Sequence, residues 1–341
     1  LKIEEVEQLK KLFLLLLYRE FVRRRRPQLD QYRAEQGASL LRFSTYCAFS
    51  DYFHKRDPNC WHWRDWPSDY RQLHSPASTA LALQLKQKID FYCYVQLTID
   101  TQLSSVQQRL RTSGMRIGLY HDLALATDRC GADLWAYQHL YVPGVRVGSP
   151  PDDFNEQGQD WGFPALNPGL QSSTGFDYFL RSVRRAGQHG AALRFDHVMR
   201  LARLYWIPDG ATAKDGAYVR DHFLAMLRLI ALESHRGKFE VVGEDLGTVP
   251  DYFRASLESF QLLSYKLAYF ERSTEGFTAA ENYSANALCA LTTHDLPTLD
   301  GFWRHRDIEL RIQLGYLPQD RWQEAVAQRE ADKQALQTLF I

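Results

Sequence analysis

Four runs of the sequence close on an acid: Gly118–Asp122, Leu193–Asp196, Val242–Asp245 and Thr292–Asp295. Burying acids at the ends of apolar strands is unfavourable unless they gain partners. Two carboxylates facing one another across a glycosidic bond can divide the work. One, ionised, attacks or stabilises an oxocarbenium-like centre; the other, protonated, donates to the leaving oxygen. Arg194 stands two residues before Asp196, on the same side of an extended strand, where a cation keeps a carboxylate ionised. Val241 and Val242 lead into Glu244, so this acid is expected in a partly desolvated place, which raises a carboxyl pKa. His294 beside Asp295 supplies hydrogen-bond donors for sugar hydroxyls.

Other readings stay open on residue types alone. His121, Asp122, Asp196, His197, Glu244, His294 and Asp295 are all of the kind that ligates a divalent ion, which would make a metal-dependent hydrolase. Against that stand the lack of a His-Glu-x-x-His pattern and the repulsive charge of Arg194. Structural roles are also available. Asp122 can cap a helix or a turn. Arg194 and Asp196 can be a plain ion pair, and Glu244 with Asp245 can face a helix dipole. Residues 294–297 can form a turn locked by Pro297.

These acids need elements that bring them to one place. Strand-like runs at Arg116–Asp122, Ala192–Asp196, Phe239–Glu244, Leu262–Tyr269 and Ala287–Asp295 alternate with helical stretches at Tyr178–Ala186, Tyr218–Ser234, Tyr252–Phe260 and Gly276–Tyr283. Such alternation predicts parallel strands joined by crossover helices. In a barrel the C-terminal strand ends open onto one face, so acids far apart in sequence converge there; a flat sheet would gather them less well. The Pro- and Gly-rich stretch from Tyr141 to Gly169 reads as a long loop, and a loop of that length in an α/β domain is usually functional.

Residues 1–113 read as mostly helical. Val6, Leu9, Phe13, Leu16 and Leu17 form one apolar stripe, and the run Arg23–Arg26 before Pro27 reads as a cationic helix end stopped by proline. A second helix is expected over Ser78–Arg111, ended by Gly114. Trp61, His62, Trp63 and Trp66 read as core packing and loop anchoring rather than as a stacking platform.

With 41 basic and 41 acidic residues in 341, the chain has no net charge. That argues against a nucleic-acid partner. The longest apolar run, Leu12–Tyr18, falls far short of the roughly 20 residues a bilayer requires. Five scattered cysteines, with no CxxC pair, suit free thiols in a reducing cytoplasm. The chain begins at Leu1, as a piece of something longer would.

Taken together and in order, these segments resemble the amylomaltase, or 4-α-glucanotransferase (disproportionating enzyme), family in its long bacterial maltodextrin-using form. The match is carried by Met115–Asp122, by the cover loop Val147–Pro164, by Leu193–Arg200, by Val242–Gly247 and by Thr293–Thr298. The resemblance implies an α/β fold of the TIM (β/α)8 type, incomplete in this chain. It implies a helical insertion subdomain over 1–113 and part of the barrel over 114–341, with the cover loop at 144–164. It implies a retaining transferase moving α-1,4-glucan segments between maltodextrins, with no metal and no cofactor. Asp196 would be the nucleophile, Glu244 the acid/base and Asp295 the third catalytic acid. Asp122, Phe154, Gln159, Trp161, Arg194, His197 and His294 would bind substrate.

A Pro- and Gly-hinged cover also has its own logic. A transferase must favour a sugar hydroxyl over water, and a cover that excludes water while holding the acceptor does so. The partners expected are a maltooligosaccharide donor and acceptor, in a cytoplasmic protein, with no nucleic acid and no membrane; an oligomer is open. Two positions depart from the family pattern: Phe195 and Ser149 stand where a smaller aliphatic residue and an alanine are more usual. A catalytically incomplete, glucan-binding fragment is the remaining alternative.

Overall fold

A computed structural model of the chain describes residues 2–151, 156–273 and 276–339. The helical part comprises α1 (Ile3–His54), α2 (Pro76–Gln84) and α3 (Lys86–Thr112). The expected stop at Pro27 does not occur. The chain bends at Arg25 (φ −135°) and again at Gly37 (φ 61°), and helix resumes after each. A bend just ahead of Pro27 accommodates the missing N–H that would otherwise end the helix. The arginine run is a face of ion pairs rather than a helix end. Arg23 and Arg24 pair with Glu20, while Arg26 and Arg33 both hold the buried Asp90, at 2.8 and 2.6 Å. The expected single helix over 78–111 is likewise two, broken at Leu85.

Trp66 is fully buried and Trp63 nearly so, against Phe49, Phe53 and Trp135. Core packing therefore accounts for them, as expected, whereas Trp61 is exposed beside the His54 ring. This aromatic cluster also takes in Leu140 and Tyr141, so the helices and the segment after residue 131 share one core.

The remainder is α/β. In chain order it runs β1 (Tyr120–Leu123), α4 (Ala132–Ala136), β2 (Tyr141–Ser149), β3 (Gln159–Leu166), α5 (Pro168–Ser173), α6 (Asp177–Gly187), β4 (Ala192–Phe195), β5 (Arg203–Pro208) and β6 (Ala217–Arg220). There follow α7 (Phe223–Gly237), β7 (Glu240–Gly243), α8 (Asp251–Ser259), β8 (Leu263–Leu267), β9 (Arg272–Ser273), β10 (Gly276–Phe277) and β11 (Ala287–Ala290), then α9 (Leu299–Trp303), α10 (Arg306–Gln313) and α11 (Trp322–Leu339).

The main sheet has the order β1-β4-β7-β8-β11, every neighbouring pair parallel. The spatial order follows the sequence without reversal. A doubly wound sheet reverses at a switch point, whereas a TIM-type barrel winds on in one direction. The sheet is thus an arc of barrel type, with no closing pair among the described residues. Its outer face carries α6, α7 and α8. Phe179, Val183, Leu227, Ile230, Phe253 and Leu257 pack on Leu193, Phe195 and Val241. Phe195, larger than the family pattern, is fully buried in that core.

Three expectations are corrected outside this sheet. The stretch read as a long loop at 141–169 is mostly the β2–β3 hairpin, joined by β5 and β6 in an antiparallel sheet of order β3-β2-β5-β6. Val145 and Val147 on one strand, and Trp161, Phe163 and Ala165 on the other, supply the alternating strand pattern that its prolines and glycines obscure. At Gly148 a Cβ would stand 2.0 Å from the Gln159 carbonyl, so only glycine lets the two strands approach. Tyr218 lies in β6 rather than at the start of α7, and 276–283 holds β10 and a short 3₁₀ turn instead of a helix.

Candidate active site

The strand register brings the acids together. Asp122 on β1 pairs with Arg194 on β4, and Arg194 in turn with Val242 on β7. The ladder continues one step past the strands: the Asp196 N–H donates to the Leu123 carbonyl at 3.1 Å, and the Glu244 N–H to the Phe195 carbonyl at 2.9 Å. Asp196 and Glu244 therefore leave adjacent strands at the same end of the sheet. Gly243 permits the crowding, since a Cβ there would lie 2.9 Å from Val198.

Arg194 is the hub. Its Nη1 lies 2.8 Å from Asp122 Oδ1 and 2.9 Å from Asp196 Oδ1, and its Nη2 lies 4.0 Å from Glu244 Oε2. Burial opposes its charge, but bonding to Asp122 and attraction from Asp196 and Glu244 outweigh that and raise its pKa. Asp196 also accepts the Leu125 N–H at 3.2 Å.

Glu244 is 8% exposed. Burial raises its carboxyl pKa, despite opposing hydrogen bonds from the His197 N–H at 2.7 Å and the Leu246 N–H at 3.1 Å. The two acids so differ in the way divided labour requires: one sits against a cation and half in water, the other is desolvated. His197 adopts a left-handed backbone conformation (φ 44°), unusual outside glycine, and that turn aims its N–H at Glu244. Burial lowers the His197 imidazole pKa to about 4, so the ring is neutral near pH 7.

The hairpin delivers two more expected residues. Gln159 and Trp161 lie on β3, with Trp161 Nε1 donating to Gln159 Oε1 at 3.0 Å. The Trp161 ring stands edge-on to His197, 5.2 Å between centroids. Arg146 fastens this hairpin to β5 through the carbonyls of Pro208 and Ala211. Phe154 lies outside the described residues.

His294 and Asp295 are not brought to the cluster. Strand β11 ends at Ala290, and both side chains are about 70% exposed. Among the described residues they pair only with each other, at 3.4 Å. Asp245, next to Glu244, is fully buried and structural. It accepts from Arg254 Nε and from the Tyr265 N–H, tying β7 to α8 and β8.

Sequence reasoning missed the backbone donors of Leu125, His197 and Leu246, which no residue type advertises. It also missed Tyr265, whose ring lies 6.0 Å from the Arg194 guanidinium. An aromatic inside a strand just after the acid-ended β7 was the available signal. No three His, Cys, Asp or Glu side chains converge in metal-binding geometry among the described residues.

Arg194 is the side chain whose loss the cluster tolerates least. Arg194→Met is expected to destabilise the fold by about 2–4 kcal/mol, because it strands acids that share one buried cation, discounted for the exposure of Asp122. Arg194→Lys should recover only part, since a point charge cannot reach three acids with a planar fork. Urea unfolding of both variants measures this; equal stability of Arg194→Met and the parent would contradict the hub.

The pattern described as 4-alpha-glucanotransferase matches residues 1–340. A 4-alpha-glucanotransferase of Haemophilus influenzae is 39% identical over 283 residues, which cover 83% of this chain and 40% of that protein. One from Mycobacterium tuberculosis is 35% identical over 291 residues, covering 84% and 39%. The crystal structure of amylomaltase from Corynebacterium glutamicum superposes with a TM-score of 0.77 at 30% identity, over 89% of this chain and 41% of that one. Amylomaltase from Streptococcus agalactiae, in complex with acarbose, superposes at 0.76 with 18% identity, over 92% and 64%, a likeness of fold. The chain spans about two-fifths of the length of the Haemophilus and Mycobacterium relatives.

Proposed function

The chain belongs to the 4-alpha-glucanotransferase family, and on that premise we propose that it serves transfer of α-1,4-glucan segments between maltodextrins by a retaining double displacement. The observation that carries the reading is the fork of Arg194, with Asp196 on one prong at 2.9 Å and the desolvated Glu244 on the other at 4.0 Å.

Asp196, ionised beside Arg194, attacks the anomeric carbon. Glu244, held protonated by burial, gives its proton to the departing 4-oxygen. A β-glucosyl ester on Asp196 results. Glu244, now a carboxylate, takes the proton of the acceptor 4-hydroxyl as that oxygen displaces Asp196, and two inversions restore the α configuration.

Asp122 holds Arg194 and a sugar hydroxyl. Neutral His197 offers donor and acceptor to the sugar, and Gln159 and Trp161 cover the site against water. His294 and Asp295 grip the reacting ring when the loop that carries them folds over a bound glucan. Residues 1–113 form a helical insertion on the barrel segment 114–341. No described helix is long and apolar enough to cross a membrane; we place the protein in the cytoplasm.

Incubation with maltotriose tests the reading. Transfer gives glucose together with chains longer than maltotriose. Glucose and maltose alone would indicate hydrolysis instead. Maltoheptaose binding by calorimetry, without conversion, would favour a glucan-binding role over catalysis.

A further inference from the structure

A cavity of about 180 Å³ opens beside residues 123–127, and neither Arg194, Asp196 nor Glu244 lines it. A single water needs roughly 10–15 Å³ of such space, so the cavity holds several waters or one ring-sized molecule. Its wall is apolar and aromatic where Leu166, Phe179, Met226 and Trp206 face it. Its polar groups include Gln171, Asp133, Arg200 and Asp221, beside the hydroxyls of Thr127, Tyr141, Tyr178 and Ser182. Ala124 and Asp133 are exposed, which gives it a mouth.

Gln171 marks the site as built. It is 3% exposed, and α5 is set by the Asn167 cap, whose Oδ1 accepts the Leu170 N–H at 3.1 Å. The Gln171 Nε2 donates to Asp221 Oδ2 at 3.3 Å, which fixes the amide orientation, because the reverse would press two oxygens together. Its Oε1 is then a buried acceptor with no partner. Leaving such an atom unbonded costs about 1–3 kcal/mol, so a hydroxyl donor is the natural complement.

The charges select further. Two carboxylates, Asp133 and Asp221, disfavour an anion, and the guanidinium of Arg200, bonded to the Ala124 carbonyl at 3.1 Å, disfavours a cation. Paired donors and acceptors against an aromatic wall suit a neutral ring that is polar at its rim and apolar on its faces.

We propose that this cavity binds one pyranose, a free neutral hexose, at a site separate from the Asp196–Glu244 cleft. The proposal does not depend on the transfer reaction. Calorimetric titration with D-glucose tests it on the 341-residue chain, on Gln171→Met and on Asp196→Asn. Binding should weaken by about tenfold or more in Gln171→Met, the loss expected for one buried hydrogen bond, and should persist in Asp196→Asn.

Hydrogen exchange on the unaltered chain guards against a misfolded variant: glucose should slow exchange in residues 123–127 and 168–173. No heat and no protection would overturn the proposal. So would glucose binding of undiminished strength in a folded Gln171→Met, or binding lost only in Asp196→Asn.

Discussion

Asp196→Ala is expected to lower glucan transfer by at least about 10⁴-fold while leaving the fold intact. The rate loss follows from the role proposed for this carboxylate: without it there is no ester, and removal of a nucleophile costs far more than removal of an auxiliary group. The fold survives because Asp196 is half-exposed and its two contacts are replaceable. Water can take the Leu125 N–H, and Arg194 keeps Asp122 at 2.8 Å. The comparison with Arg194→Met is therefore diagnostic. Asp196→Ala should lose rate without stability, and Arg194→Met should lose both. Glucose release from maltotriose gives the first quantity and thermal unfolding the second. A folded Asp196→Ala protein with near-normal turnover would remove Asp196 from the nucleophile's place.

The part of this arrangement that was readable in the sequence is the part set by short-range physics. An apolar run ending in an acid marks the end of a buried parallel strand, because a carboxylate cannot go deeper. Asp196 and Glu244 followed from that, one residue past β4 and β7, whereas Asp122 lies exposed within β1; Arg194 followed from the two-residue strand period. The same reasoning reached too far at Asp295. Thr292 and Thr293 extend the β-prone run beyond Ala290, yet the paired strand stops there and the acid sits in an exposed turn.

The hairpin at 141–166 was hidden for the opposite reason. Proline and glycine signal irregular chain, but Gly148 sits where strands approach too closely for a side chain. Helix α1 was misjudged because tertiary contacts override a local breaker. Asp90, held by Arg26 and Arg33 from both sides of Pro27, ties α1 together across its bend. Nor does any residue type foretell that the backbone of His197 will turn left-handed and present its N–H to Glu244.

Glu244→Gln should separate the two halves of the reaction. With maltotriose, whose leaving oxygen must be protonated, the rate should fall by about 10²–10⁴-fold, the usual worth of a positioned general acid. With α-glucosyl fluoride the leaving group needs no proton, so the first displacement should survive. The second displacement lacks its base, and the glucosyl ester should accumulate on the peptide containing Asp196, where mass spectrometry detects it.

The pH dependence carries a sign as well. Burial raises the Glu244 pKa, so the unaltered protein should lose transfer as pH rises through that raised value, and Glu244→Gln should lack this limb. For stability, the folded state binds this proton more tightly than the unfolded chain. Glu244 thus favours folding below its ordinary pKa, and that contribution is lost as pH climbs to the raised folded value. Thermal midpoints of variant and parent should shift relative to each other in the variant's favour as pH increases across that window. A parallel pair of curves, or an unaltered alkaline limb in Glu244→Gln, would mean that the proton in the reaction belongs to another group.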